Sequence, residues 1–541
     1  MSQGSSDTDV DAVVIGAGFG GLYMLYKLRE LGLSTQVFEA GDGVGGTWYW
    51  NRYPGARCDV ESLAYSYSFD PELEQDWEWS ERYPAQPEIE KYLNHVADRY
   101  DLRRDIALET RVTAATFDED TTSWTIETDT GRSVTCRWLI TAVGCLSKPK
   151  EIDIEGKGSF AGPTYHTPSW PKDGVDFSGK RVAVIGTGST GIQVIPEIAK
   201  QAEHLTVFQR TPNFSLPAQN RDLTGDEIEE FKADYRHFRE EQRASAYGVP
   251  APPPEPSALA VAAEERNRKY QQAWDKGGFA EFFPYADLLT DIEANETVAQ
   301  FVRDKIAGIV DDPELAAKLA PTDYAFGTKR PCLDTRYFET YNRDNVTLVD
   351  LRETPLERIT GKGIETSDRS YEVDAIVFAT GFDAMVGALN AIDIRGRGGA
   401  LLRDEWKNGP VTYLGLSVAG FPNMFTITGP LSPSVFSNMI VSIEQHVEWI
   451  ADCVAYVDKA GEAGIEATST AQDDWVSHVS ELADMTLFPQ TDSWYVGANV
   501  PGKPRVFMPY VGGVGFYRET CDEIVRDDYR GFDLISAPQE A

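Results

Sequence analysis

Two glycine clusters constrain what this chain can fold into more than any other feature. Gly16, Gly18 and Gly21 spell GxGxxG directly after the apolar run Val13–Val14–Ile15, and Gly186, Gly188 and Gly191 repeat the pattern after KRVAVI. Helical spacing follows the first cluster at Leu22, Leu25 and Leu28, and the second runs on into GIQVIPEIAK. Strand, tight turn and helix in this order open a dinucleotide-binding βαβ unit. The first glycine permits the turn, the second lets backbone approach a pyrophosphate, and the third lets helix and strand pack closely. Second strands follow as TQVFEAG and LTVFQRT. The chain is therefore expected to be α/β, with two Rossmann-type dinucleotide-binding domains.

The residues ending those second strands differ. Glu39 comes 18 residues after Gly21, where a carboxylate can accept hydrogen bonds from ribose hydroxyls. Arg210 comes 19 residues after Gly191, with Thr211 beside it, and a cation there favours the 2′-phosphate of NADP. FAD at the first site and NADP(H) at the second is the expected pairing. The six cysteines include no CxxC, so a dithiol relay, a disulfide framework and a metal site are not expected.

At 541 residues the chain exceeds what one core serves. We divide it into a first FAD-binding part at 1–145, a first NADP-binding part at 146–222 and a helical insertion at 223–325. Second NADP- and FAD-binding parts follow at 326–380 and 381–541. The insertion carries charged helical runs around the proline-rich VPAPPPEPS, which cannot be regular helix or central strand. After Pro433, residues Ile440, Ile443, Val447, Ile450, Val454 and Val457 fall on one helix face. The formal charge of −36 opposes nucleic acid and anionic membranes as partners. No apolar run approaches the ~18 residues of a membrane span. The polar N-terminal run MSQGSSDTDVD lacks the basic segment of a signal peptide, so a cytoplasmic setting is expected.

Two further runs carry a family resemblance. GGTWYWNRYPGARCD (Gly45–Asp59) and FAGPTYHTPSWP (Phe160–Pro171) resemble the two fingerprints of type I Baeyer–Villiger monooxygenases, within the class B flavoprotein monooxygenases. NRYPGARCDVES and ANVPGKPRVFM are similar to the phenylacetone and steroid monooxygenase branch. KRPCLDTRYFETYNRDNVTLVDL is similar to the cyclohexanone branch. The resemblance implies that NADPH reduces FAD and that the reduced flavin captures O2 as a C4a-peroxide. That peroxide attacks a cyclic, aryl or steroid-like ketone, and an ester or lactone leaves while NADP+ stays bound. N- or S-oxygenation is the alternative reaction, against which Trp170–Pro171 argues. A redox sensor that only reports NADPH is the non-enzymatic one.

The resemblance also carries residue roles. Arg330 matches the active-site arginine and Asp59 the acid that holds it. Lys329 matches a lysine at the 2′-phosphate, and Gly46 and Trp48 lie in the flavin-binding fingerprint. Trp494 matches a tryptophan near the nicotinamide nucleotide, although a structural role would also account for it. Cys145, Leu146, Ser434, Val435, Phe436 and Met508 match substrate-pocket positions. Cys145 reads as an apolar filler or a reactive thiol, and His166 as structural. Leu431 departs from the glycine usual in relatives. A monomer or weak homo-oligomer is expected.

Overall fold

The computed structural model describes residues 8–536. The first seven residues of the polar N-terminal run thus lie outside the described residues.

The first glycine unit builds an eight-stranded sheet. Strand Val10–Ile15 pairs in parallel with Thr35–Phe38 on one side and Ser133–Thr141 on the other. Ile106–Ala107 extends the sheet beyond Thr35–Phe38. The antiparallel strands Val112–Asp118 and Ser123–Thr128 extend it the other way. Two late strands return to this sheet: Met424–Thr426 beside Ser133–Thr141, and Asp393–Arg395 at the far edge. Helix Phe19–Glu30 covers the sheet and packs on helix Met439–Ala460. All six apolar residues read as one face of that second helix are buried.

The second unit builds a five-stranded parallel sheet, ordered Val346–Asp350, His204–Gln209, Arg181–Ile185, Ala375–Phe378, Thr164–His166. Register aligns Val349, Phe208, Ile185, Phe378 and His166 in one row. The carboxyl ends of all five strands therefore share one edge, where ligands bind in sheets of this type.

The helical insertion serves both sheets. Strands Ser215–Pro217 and Cys332–Asp334 pair across its base. Helices Ala263–Lys276, Ile292–Ile309 and Pro313–Leu319 share a core with the five-stranded sheet. Helix Tyr235–Ala244 instead docks on residues near the first fingerprint, where buried Arg239 donates to Glu74 Oε1 at 2.8 Å and to Ser66 Oγ at 2.7 Å. Its neighbour Arg243 reaches Ser68 Oγ at 2.9 Å. The proline-rich run forms neither helix nor extended strand and makes only a single bridge, from Glu255 to Tyr285. A three-stranded antiparallel sheet at Leu356–Thr360, Gly363–Thr366 and Ser370–Glu372 was not anticipated from the sequence.

Candidate functional site

Both glycine turns adopt the geometry their spacing requires. Gly16 has φ +104° and Gly186 φ +110°, left-handed conformations that glycine adopts without strain. A Cβ on Gly16 would lie 2.6 Å from the Ala142 carbonyl oxygen, and one on Gly21 or Gly191 would collide with the preceding turn. A Cβ on Gly46 would lie 2.8 Å from Gly18 Cα, so the first fingerprint packs against the first turn at backbone distance. Gly188 faces open space, leaving room for a ligand to approach the backbone.

The helices that follow, Phe19–Glu30 and Ser189–Ala199, have no side-chain cap and no acidic residue in the first turn. Helices beginning at Gly225, Ile292, Pro313 and Ser469 are all capped by Thr or Asp side chains. Uncapped first-turn N–H groups together with the helix dipole suit a phosphate. Glu39, 5% exposed, accepts from Ala17 N and Gly41 N at 2.8 Å each and so ties the end of the second strand to the first glycine turn. These features fit FAD in the first unit and a dinucleotide in the second.

Arg330 precedes strand Cys332–Asp334, and Asp59 closes the first fingerprint. The structure brings them together in a paired contact, Nε to Oδ2 at 2.8 Å and Nη2 to Oδ1 at 3.0 Å. Nη1 donates to the Val435 carbonyl at 2.7 Å, and Cζ lies 5.2 Å from the Phe279 ring centre. Burial alone would weaken the guanidinium's hold on its proton. The Asp59 charge and hydrogen bonds outweigh that and hold the proton more tightly than usual. Asp59 and the Val435 carbonyl take three of its five N–H donors, and the Tyr495 hydroxyl lies within hydrogen-bonding reach of the same guanidinium.

Cys145, Leu146, Val435, Phe436 and Met508 meet in one apolar cluster, which Trp494 also joins. Phe436 packs against Phe488, Tyr495 and Phe507 at centroid distances of 4.8, 4.6 and 5.8 Å. Ser434 is fully buried at φ +20°, and its Oγ has no hydrogen-bond partner. Burial raises the Cys145 thiol to about 11, which favours the filler reading over a reactive thiolate. Trp48 donates to Tyr65 OH at 3.2 Å inside the first-sheet core. His166 lies 3.3 Å from Thr380 Oγ1, and burial lowers its pKa.

Lys329 Nζ lies 4.5 Å from the Tyr324 ring centre, and Tyr324 OH donates to Pro212 O and Asn213 Oδ1. That ring holds Lys329 toward the Arg210–Thr211 turn. Thr211 is fixed there by its carbonyl, which accepts from Thr187 Oγ1 at 3.1 Å. Burial lowers the Lys329 pKa, and Arg210 lowers it further.

Sequence reading missed Phe279, Tyr495 and the pair Thr328–Thr491. Thr491 Oγ1 donates to Thr328 Oγ1 at 2.8 Å, joining the segment that bears Lys329 and Arg330 to the one that bears Trp494. No local pattern marks these residues, since each acts through a distant part of the chain.

Comparison with known proteins accords with this geometry. The family model for pyridine nucleotide-disulphide oxidoreductases matches residues 13–243. An acetone monooxygenase (methyl acetate-forming) from Gordonia sp. is 45% identical, covering 98% of this chain and all of the relative. A Baeyer–Villiger monooxygenase from Pseudooceanicola batsensis is also 45% identical, over 96% of this chain and 95% of the relative. So is phenazine N-monooxygenase PhzNO1 from Lysobacter antibioticus, over 98% of each. Oxidized steroid monooxygenase bound to NADP, a solved structure, superposes with a TM-score of 0.94 at 52% identity, over 98% of this chain and 100% of that one. With identity of this level spread along its whole length, the chain belongs to the Baeyer–Villiger monooxygenases, NADPH-dependent flavoproteins that convert ketones to esters or lactones.

Proposed function

We propose that this enzyme uses NADPH and O2 to insert one oxygen beside the carbonyl of a cyclic, aryl or steroid-like ketone, with Arg330 as the charge-stabilising group. The observation that carries this reading is the Asp59–Arg330–Val435 arrangement, which presents an oriented cation beside the apolar cluster of pocket residues. FAD, when bound, takes the hydride from NADPH and delivers activated oxygen to the ketone. Asp59 holds the guanidinium plane in place. Arg330 stabilises the negative charge that develops as the carbonyl becomes tetrahedral, and does so without giving up its proton. Cys145, Leu146, Ser434, Val435, Phe436 and Met508 shape the pocket and exclude water. Trp494 closes the nucleotide side, and Arg210, Thr211 and Lys329 read the 2′-phosphate.

Ligand division follows the two sheets, with FAD on residues 1–145 and 381–541 and NADP on 146–222 and 326–380. The described residues contain no helix long and apolar enough to cross a membrane. Six buried free cysteines support a reducing, cytoplasmic setting.

The test is product mass after incubating flavin-loaded enzyme with NADPH, 18O2 and a ketone panel. One labelled oxygen in an ester or lactone is the expected result, and labelled hydrogen peroxide with every ketone intact would overturn the assignment. The phenazine N-monooxygenase relative favours a second reading, N-oxygenation. A heteroaromatic amine in the same panel distinguishes it.

A further inference from the structure

The chain carries 86 acidic and 50 basic residues, and most of its buried or half-buried cations face a carboxylate. Three cations at the edge of the five-stranded sheet, the half-buried Lys150 and Lys329 and the exposed Arg210, do not. Arg210, Lys329 and Lys150 form no ion pair among the described residues. Asp323 and Asp492 act on Lys329 through their charge but lie beyond ion-pair distance, and Asp492 is already bonded to Arg505.

Lys150 lies in the connection that leads from the first sheet toward the second. Its backbone N–H donates to the Gly381 carbonyl at 3.1 Å, and Pro149 bridges Phe382. Gly381 follows strand Ala375–Phe378 at φ +79°, where the chain turns. Phe378, Ile185 and Phe208 share one row of the sheet. Beyond that row, Gly186 opens the glycine turn after the middle strand, Arg210 follows the strand on one side, and Gly381, bonded to the linker at Lys150, follows the strand on the other. Two strand spacings separate those outer strands by about 10 Å. The glycine turn, whose Gly188 faces open space, lies between them. Lys150 is half-buried, its Nζ has no hydrogen-bond partner among the described residues, and Arg210 is the charged group that acts on it.

We propose that Lys150 is a third cation of the 2′-phosphate site, closing on the nucleotide from the side of the linker while Arg210 and Lys329 close from the other. This rests on the reading of the second glycine unit as the NADP site. It adds to that site a residue on neither the glycine turn nor the strand end, where a cation specific for the phosphorylated ribose is ordinarily sought. Arg210 disfavours the charged form of both lysines, an opposition that a dianionic phosphate among the three would relieve.

Isothermal titration of the FAD-loaded enzyme with NADP+ and with NAD+ tests it, comparing wild type with Lys150→Met, Lys150→Arg and Arg210→Ala. Adenosine 2′,5′-bisphosphate and adenosine 5′-monophosphate serve as fragment probes. We expect Lys150→Met to weaken NADP+ and the bisphosphate about tenfold. NAD+ and the monophosphate should be unchanged, and Lys150→Arg should restore binding. Equal weakening of NADP+ and NAD+ would place Lys150 on the pyrophosphate and overturn the proposal, as would unchanged NADP+ binding. If Arg210→Ala also leaves the NADP+ to NAD+ ratio unchanged, the reading of the site itself fails, an outcome separable from failure of Lys150 alone. Melting temperatures of the variants control for folding.

Discussion

The Arg330 guanidinium donates from Nη1 to the Val435 carbonyl at 2.7 Å while Asp59 takes Nε and Nη2. The guanidinium proposed to stabilise charge is therefore bonded directly to the loop proposed to line the pocket, so a shift of Val435 is felt at the cation. A lysine in its place offers one ammonium and cannot make all three bonds in a plane. Arg330→Lys and Asp59→Ala should each lower ester formation by about 10²-fold or more. Flavin reduction by NADPH, followed by stopped-flow absorbance, should stay within about twofold of wild type, because no reducing step needs that geometry. Equal loss in both half-reactions would show that the pair holds the fold and not the chemistry.

Leu431 occupies φ +68°, a left-handed conformation that costs a non-glycine residue about 1–2 kcal/mol. Its side chain is 4% exposed and lies in the main core cluster. Truncating a buried leucine costs about 2–5 kcal/mol, so burial outweighs strain. Leu431→Gly should therefore destabilise the protein, by about 1–3 kcal/mol in urea unfolding. A more stable variant would mean that backbone strain dominates at this loop.

The Thr328–Thr491 contact is asymmetric. Thr328 Oγ1 also donates to the Ala325 carbonyl at 2.6 Å, so it keeps a partner when Thr491 is lost. Thr491 is 6% exposed and donates to Thr328. Thr328→Val strands a buried donor and should cost about 1–3 kcal/mol, whereas Thr491→Val should cost about 1 kcal/mol. A double-mutant cycle read by thermal unfolding should show coupling of about 0.5 kcal/mol or more. Both variants should raise KM for NADPH more than they lower kcat, since they loosen the segment that carries Trp494. Purely additive costs would sever this link.

His446 is fully buried on helix Met439–Ala460, and its Nδ1 accepts from Thr428 N at 2.9 Å. Burial lowers its pKa to about 3, far below the ordinary 6.5. As pH falls below about 6.5 the unfolded chain takes up this proton first, so stability is lost on acidification. Asp334 has the opposite sign. Burial raises its pKa to about 6, so its contribution is present at low pH and is lost as pH rises through about 6. His446→Asn keeps an acceptor but does not titrate. The stability advantage of wild type over this variant should shrink by up to about 1.4 kcal/mol per pH unit between about pH 6 and 4. A pH-independent difference in urea titrations would show that His446 titrates alike in the folded and unfolded chain, against the effect of its burial.

The two nucleotide units, their turn glycines and the buried face of helix Met439–Ala460 were legible in the sequence because each follows from contacts within a few residues. The return of Met424–Thr426 and Asp393–Arg395 to the first sheet was visible only in outline, as strand-like segments or as a late flavin-binding part. The helical insertion was visible as charged periodic runs, but not its division between two cores. Leu431 stood out as an exception to a pattern, and its positive φ supplies the reason that glycine suits the position. Asp59 and Arg330 stand 271 residues apart, and Arg330 and Val435 stand 105 apart. Their roles came from family resemblance, because no periodicity or spacing predicts a contact over such lengths. Phe279, Tyr495, Lys150 and the Thr328–Thr491 pair carried no signal at all. Turn chemistry and amphipathic period are local properties that a sequence states directly, whereas which side chains converge is decided by the packing of sheets and insertion into one arrangement that buries their apolar faces together.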